Sequence, residues 1–203
     1  MPKAWKHPKL GAFAASDSGW STTAQVPAFK AFGYTGRGKA RRSTGEVSLG
    51  IHYFTMNAQV PETPPPEMVA LLDKVLADPQ ALVDKVVAAL WDDFNGRGPD
   101  SGIWWHGDIA TVNKSLKADD LPPPKDARDL LSALHLSSII VFNEWWDYPA
   151  PIVYLEIHAA FESEHGVSIL TNVDEILGVG FSGEATLWKH LRPERPPPRN
   201  PFV

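Results

Sequence analysis

The chain contains no cysteine. That absence removes disulfides, zinc–thiolate centres and cysteine nucleophiles together, and it leaves no redox compartment to be read. Long apolar runs are missing too. Stretches such as Ile139 to Phe142 fall far short of the ~20 residues that cross a bilayer. The opening segment, Met1-Pro2-Lys3-Ala4-Trp5-Lys6-His7-Pro8-Lys9, is positively charged but has no apolar stretch behind it, so it does not read as a signal peptide. A cytoplasmic protein with no membrane partner is the expectation. Positive charge is also short: 19 Lys and Arg against 24 Asp and Glu give a formal net charge of −5. A general nucleic-acid binder needs a basic surface for phosphate, so nucleic acid is not an expected partner.

What the chain does have is proline and tryptophan, 19 and 8 in 203 residues. With 43% hydrophobic and 21% charged residues it is apolar enough to fold around a core. The length suits one domain, read as residues 10–190, followed by an extended proline-rich tail over 191–203.

The prolines and glycines cut that domain into blocks. Ala12-Phe13-Ala14, a turn at Asp17-Ser18-Gly19, and Trp20 to Val26 read as short strands closed by Pro27. Residues 33–42 form a basic glycine-rich loop. Val47, Leu49, Ile51 and Tyr53 alternate with Glu46, Ser48, Gly50 and His52, the period of a half-buried strand. Thr63-Pro64 then caps a helix carrying Met68, Leu71, Leu72, Val75 and Leu76. Asp78-Pro79 opens a second, with Leu82, Val83, Val86, Val87, Leu90, Trp91 and Phe94 on one face and a stop at Asn95-Gly96.

Residues 96–124 read as a long excursion, and a third helix is expected over about Lys125 to Leu134. Strands follow at Leu136 to Phe142, Ile152 to Phe161, Val167 to Leu170 and Glu175 to Phe181, the last returning through Asn172-Val173-Asp174. Strands, then helices, then a strand meander imply an α+β fold: an antiparallel sheet with two or three helices packed on one face.

Candidate chemistry is sparse. Gly33-Tyr34-Thr35-Gly36-Arg37-Gly38-Lys39-Ala40 imitates a phosphate-binding loop but puts Ala40 where magnesium needs a hydroxyl, and a strand follows where a helix is required. Glu156 and His158 share one face of a strand, ~6.5–7 Å apart at i and i+2. With Glu164 and His165 nearby, they form a candidate metal site or acid–base pair, or else only a solvent face and a structural turn. No Gly-x-Ser-x-Gly elbow is present. Asp92-Asp93 reads as the polar side of the second helix, where adjacent residues diverge by ~100° and do not converge on one atom, and Asp119-Asp120 reads as a solvated doublet in the breaker-rich stretch before Pro122-Pro123-Pro124. Trp104-Trp105 and Trp145-Trp146 fall on connections, as anchors for a protein or sugar, or as glue for the loops themselves.

The ordered pattern resembles a family of bacterial domains of unknown function. Its carriers are Phe13 through Trp20 to Pro27-Ala28-Phe29, Val47-Ser48-Leu49, the Thr63-Pro64 helix start, Leu90 to Phe94, Ile152 to Phe161, Glu164-His165-Gly166-Val167 and Ile176-Leu177-Gly178-Val179-Gly180. The Glu-His-Gly turn after a hydrophobic strand is the most specific part. Phe161 stands where the family often has tryptophan, and residues 96–124 are longer than its pattern.

Such domains are similar to immunity proteins of polymorphic toxin systems. The resemblance implies a cytoplasmic protein, not an enzyme and without a cofactor, that binds and occludes a cognate basic toxin. Trp104, Trp105, Trp145, Trp146 and Tyr148 would then be apolar anchors, and Asp92, Asp93, Glu144 and Asp147 would face the toxin. Two alternatives stand beside it: a small hydrolase using Glu156, His158, Glu164 and His165, and a carbohydrate-binding module using the paired tryptophans.

Overall fold

The computed structural model describes residues 2–34, 43–54, 59–94, 109–146, 148 and 150–181. Their strands form one sheet in which sequence order is spatial order: β1 (Trp5–His7), β2 (Gly11–Ser16), β3 (Glu46's partner strand, Gly19–Gln25), β4 (Glu46–His52), β5 (Leu134–Phe142), β6 (Ile152–Ala159), β7 (Glu162–Thr171) and β8 (Ile176–Phe181). The fold is α+β, with an eight-stranded, mostly antiparallel sheet and four helices among the described residues.

One pairing departs from the antiparallel expectation. Strands β4 and β5 run parallel, Leu49 opposite Ile139 and Ile51 opposite Val141. The helices lie between them in sequence: α1 (Pro66–Ala77), α2 (Pro79–Phe94), α3 (Ile109–Ala118) and α4 (Ala127–Leu130). A crossover of that length carries the chain back to the end from which β4 started, so β5 enters in the same direction.

The first strand was not foreseen, and it puts the start of the sheet before residue 10. His7 builds its turn: the buried ring accepts the N–H groups of Lys9 and Leu10 at Nδ1, at 3.1 and 3.2 Å, as Gly11 (φ +82°) reverses the chain. At the next turn Gly19 lies against β4. A Cβ there would sit 2.1 Å from the Ile51 carbonyl oxygen, so no other residue fits.

Helix α2 starts as expected, with Asp78 accepting the Ala81 N–H at 3.0 Å. Helix α1 does not. It begins at Pro66 with Pro65 at the cap and no side-chain cap bond, so Thr63 plays no capping part. The expected third helix over 125–134 is only α4 and a 3-10 turn at Leu131–Ala133, capped by Asp126 on the Arg128 and Asp129 N–H groups. The longer α3 lies inside the presumed excursion. Its polar sequence hid it: only Val112 and Leu116 are buried among its described side chains. The loop over 35–42 and the tail over 191–203 lie outside the described residues.

The main core joins Phe13, Trp20, Val47, Leu49 and Ile51 with Met68, Leu72 and Val75 of α1, Leu82, Val86 and Leu90 of α2, Leu116 of α3 and Leu130 of α4. Along β6, Val153, Leu155, Ile157 and Ala159 enter this core as the alternation predicts. The intervening Ile152 and Tyr154 join a second cluster with Trp145, Leu170 and Leu177. That places a smaller aromatic core on the opposite face of the sheet.

Candidate functional site: an aromatic turn on the second sheet face

The connection between β5 and β6 carries the one large hydrophobic side chain exposed among the described residues, Trp146. Its neighbour Trp145 is 3% exposed, whereas Trp146 is 64% exposed. Trp145 and Tyr148 close the turn by exchanging backbone hydrogen bonds, the Trp145 N–H donating at 3.1 Å and the Tyr148 N–H at 2.8 Å. A two-residue connection of this kind favours a positive φ at its first residue, a place that Asn or Gly fills at little cost. Trp146 occupies it at φ 48°. A bulky residue in the left-handed region is disfavoured by roughly 1–2 kcal/mol.

The turn stands on a firm aromatic base. Trp145 stacks on Tyr154 at 5.1 Å and 24°, and it packs against Phe54 at 4.7 Å and Phe142 at 5.4 Å. Phe54 also meets Trp146 edge-on at 5.3 Å. The Phe54 N–H donates to the Asn143 side-chain oxygen at 3.0 Å, which ties the end of β4 to the end of β5. Glu144 is half-buried at the start of the connection. Each tryptophan therefore has a separate role, one as packing and one as exposed surface. Trp145 is accordingly removed from any contact surface, and the paired stacking platform of the carbohydrate alternative is not formed at this turn.

The other proposed anchors divide. Asp92 is exposed on α2, but Asp93 is 1% exposed and turned inward, so it offers nothing to a docked protein. Trp104, Trp105 and Asp147 lie outside the described residues.

Among the described side chains, the acid–imidazole constellation divides into three pairs. Glu156 accepts the Ser138 hydroxyl at 2.8 Å. His158 stacks on His135, its direct partner across β5 and β6, at 6.0 Å and 12°. His165 meets Glu162, with 3.2 Å between ring Nδ1 and Oε1, and donates its backbone N–H to the same oxygen at 3.3 Å. No group of three or more His, Asp or Glu able to hold a metal forms among the described residues. The Glu164 side chain is outside them. His135 was missed because its partner is set by cross-strand register, which the sequence of one strand does not state; Glu162 was missed although it lies only three residues before His165 on the same strand.

The Glu-His-Gly segment is not a hairpin turn. The turn comes at Ala160-Phe161, and β7 has already begun at Glu162. Ile157 pairs with Val167 and Ala159 with Glu162, so residues 163–166 bulge opposite His158 alone. The positive φ assigned to Gly166 is present, at +68°, and a Cβ there would stand 2.9 Å from the Ile157 carbonyl oxygen. The motif is thus a bulge that glycine makes possible.

Two half-buried imidazoles are held toward their neutral forms. Burial lowers the His52 pKa, partly offset by a backbone hydrogen bond with Trp20. Burial also lowers that of His135, reinforced by the charge of His158. No helix of the described residues is long and apolar enough to cross a membrane. Compared with protein-family models, curated proteins and solved structures, the chain matches none.

Proposed function

We propose that the protein is a binding module whose partner is another protein, engaged through the Trp146 turn. The observation that carries this reading is an indole held 64% exposed at an unfavourable φ, over a packed aromatic base. Tryptophan dominates interface hot spots because it brings a large rigid area at small entropic cost. A rigid base beneath it means that little order has to be imposed on binding.

The narrower form of the reading is an immunity protein that acts in the cytoplasm by covering a toxin's active site, without catalysis or a cofactor. Its support is the Glu-His-Gly resemblance, together with a net charge of −5 suited to a basic protein rather than to nucleic acid. Glu144 and exposed Asp92 are acidic groups for such a partner, while Trp146 and Tyr148 supply apolar contact.

The test is co-expression with the product of the adjacent gene, followed by calorimetric titration of the purified pair. Trp146→Ala should weaken binding by about 30-fold, the ~2 kcal/mol of a hot spot. Unchanged affinity in that variant defeats the reading of the turn. Failure to protect cells against an adjacent toxin defeats the immunity form and leaves the binding module in place.

A further inference from the structure

We propose that His135 and His158 form a two-imidazole chelating site for a divalent transition-metal ion, with Cu²⁺ the best fit. The pair lies apart from the Trp146 turn and does not depend on the reading of that turn.

Three observations point to it. The two histidines are direct partners across the antiparallel β5–β6 ladder, and their rings lie almost parallel with centroids 6.0 Å apart. His135 Nδ1 is buried with no hydrogen-bond partner, so it has a lone pair or a proton that nothing in the fold uses. His158 is exposed, which gives an ion a route in from solvent.

The backbone around the pair is irregular on both sides. The β5–β6 register shifts between Leu136 and Ser138, and the β6–β7 register shifts between Ile157 and Ala159. Irregularities of this kind re-aim side chains and recur beside ligand sites. The Cβ atoms of directly opposed strand residues stand about 4.5–5.5 Å apart, so rotation about χ2 can turn one nitrogen of each ring toward a shared point. Two metal–imidazole bonds of about 2 Å then span the gap.

Glu156 lies two residues before His158 on the same face of β6, with its carboxylate accepting the Ser138 hydroxyl at 2.8 Å. With two protein nitrogens supplied, water fills the remaining positions. Imidazole and water suit a tetragonal Cu²⁺ ion, which also binds most tightly in the divalent series. A site closed by four protein ligands, as structural zinc requires, is not what this pair offers.

The experiment titrates the full chain with CuCl₂ alone, by calorimetry and by electron paramagnetic resonance. One ion per chain with hyperfine structure from two nitrogens is the expected result. His158→Gln should lower affinity by about tenfold or more, a loss no smaller than that from removing an outer-shell partner. His135→Gln should do the same, and His165→Gln should leave binding unchanged. Because His158 is exposed, its variant decides the matter even if the His135 variant fails to fold. Unaltered binding in His158→Gln, loss of binding in His165→Gln, or a spectrum without two nitrogen ligands overturns the site.

Discussion

Trp145 and Trp146 are neighbours in the chain and opposites in the fold: one is 3% exposed, the other 64%. The turn between β5 and β6 separates them, since its positive φ at Trp146 swings the second indole away from the cluster that holds the first. The pair should therefore respond to substitution in opposite ways. Trp145→Ala leaves a cavity between Tyr154, Phe54 and Phe142 and should cost about 3–5 kcal/mol. Trp146→Asn places a residue that tolerates left-handed backbone at the turn, so stability should change by no more than about 1 kcal/mol. Chemical denaturation of both variants checks this. Equal losses would mean that Trp146 is packing after all.

Gly166 and Gly11 both have positive φ, +68° and +82°, but only one is crowded. Nothing lies within 4 Å of a Cβ at Gly11, whereas at Gly166 the Ile157 carbonyl oxygen stands 2.9 Å away. Gly11→Ala should cost about 1–2 kcal/mol for conformation alone. Gly166→Ala carries the same conformational cost and a clash that displaces β6 or β7, so its loss should be larger. Thermal unfolding of the two variants measures the difference, and a Gly166 loss no greater than that of Gly11 would remove the steric account of the bulge.

Alternation made the sheet legible. Val47, Leu49 and Ile51 enter the core as their spacing predicts, and so do Val153, Leu155 and Ile157. Helix α2 was equally clear from Asp78-Pro79 and its apolar face. Two kinds of information were not local. Helix α3 buries a narrow stripe in a polar segment, and β1 is three residues long, so neither has a strong pattern of its own. The candidate pair depended on register: His135 meets His158 only because β5 and β6 align with a shift that neither segment encodes, whereas Glu162 meets His165 three residues along the same strand. The paired tryptophans were legible as residues on a connection, but their separation into buried and exposed members is set by a backbone angle.

His52 makes stability depend on pH in a stated direction. Its pKa lies below the ordinary 6.5 because burial opposes the charged form. The unfolded chain therefore takes up the proton more readily than the folded one. Stability from this residue is complete above the unfolded value and falls as pH drops through 6.5 toward the lowered folded value. Its Nε2 is buried without a hydrogen-bond partner, and the ring lies over Gly50, where an added Cβ would stand 3.0 Å from Nε2. Melting temperatures at about pH 7.5 and about pH 5.5, on either side of the ordinary imidazole range, should fall more steeply in the native protein than in His52→Gln. Parallel pH profiles would show that His52 does not contribute.

Among the described side chains Glu162 is a carboxylate on His165, and this bears on the hydrolase alternative. Its side chain is 10% exposed and accepts from both the backbone and the ring side of one residue, spanning the start of the bulge. That arrangement fixes the bulge as readily as it orients a catalytic base. The two roles separate on substitution. Removing the buried acceptor in Glu162→Ala should cost about 1–3 kcal/mol, as unmade buried hydrogen bonds do. His165 is 47% exposed, so His165→Ala should cost less than about 1 kcal/mol and leave partner binding intact. Denaturation curves and partner titrations of the two variants test this together. A His165→Ala protein that folds and binds normally but loses a measurable hydrolysis would transfer the bulge from structure to catalysis.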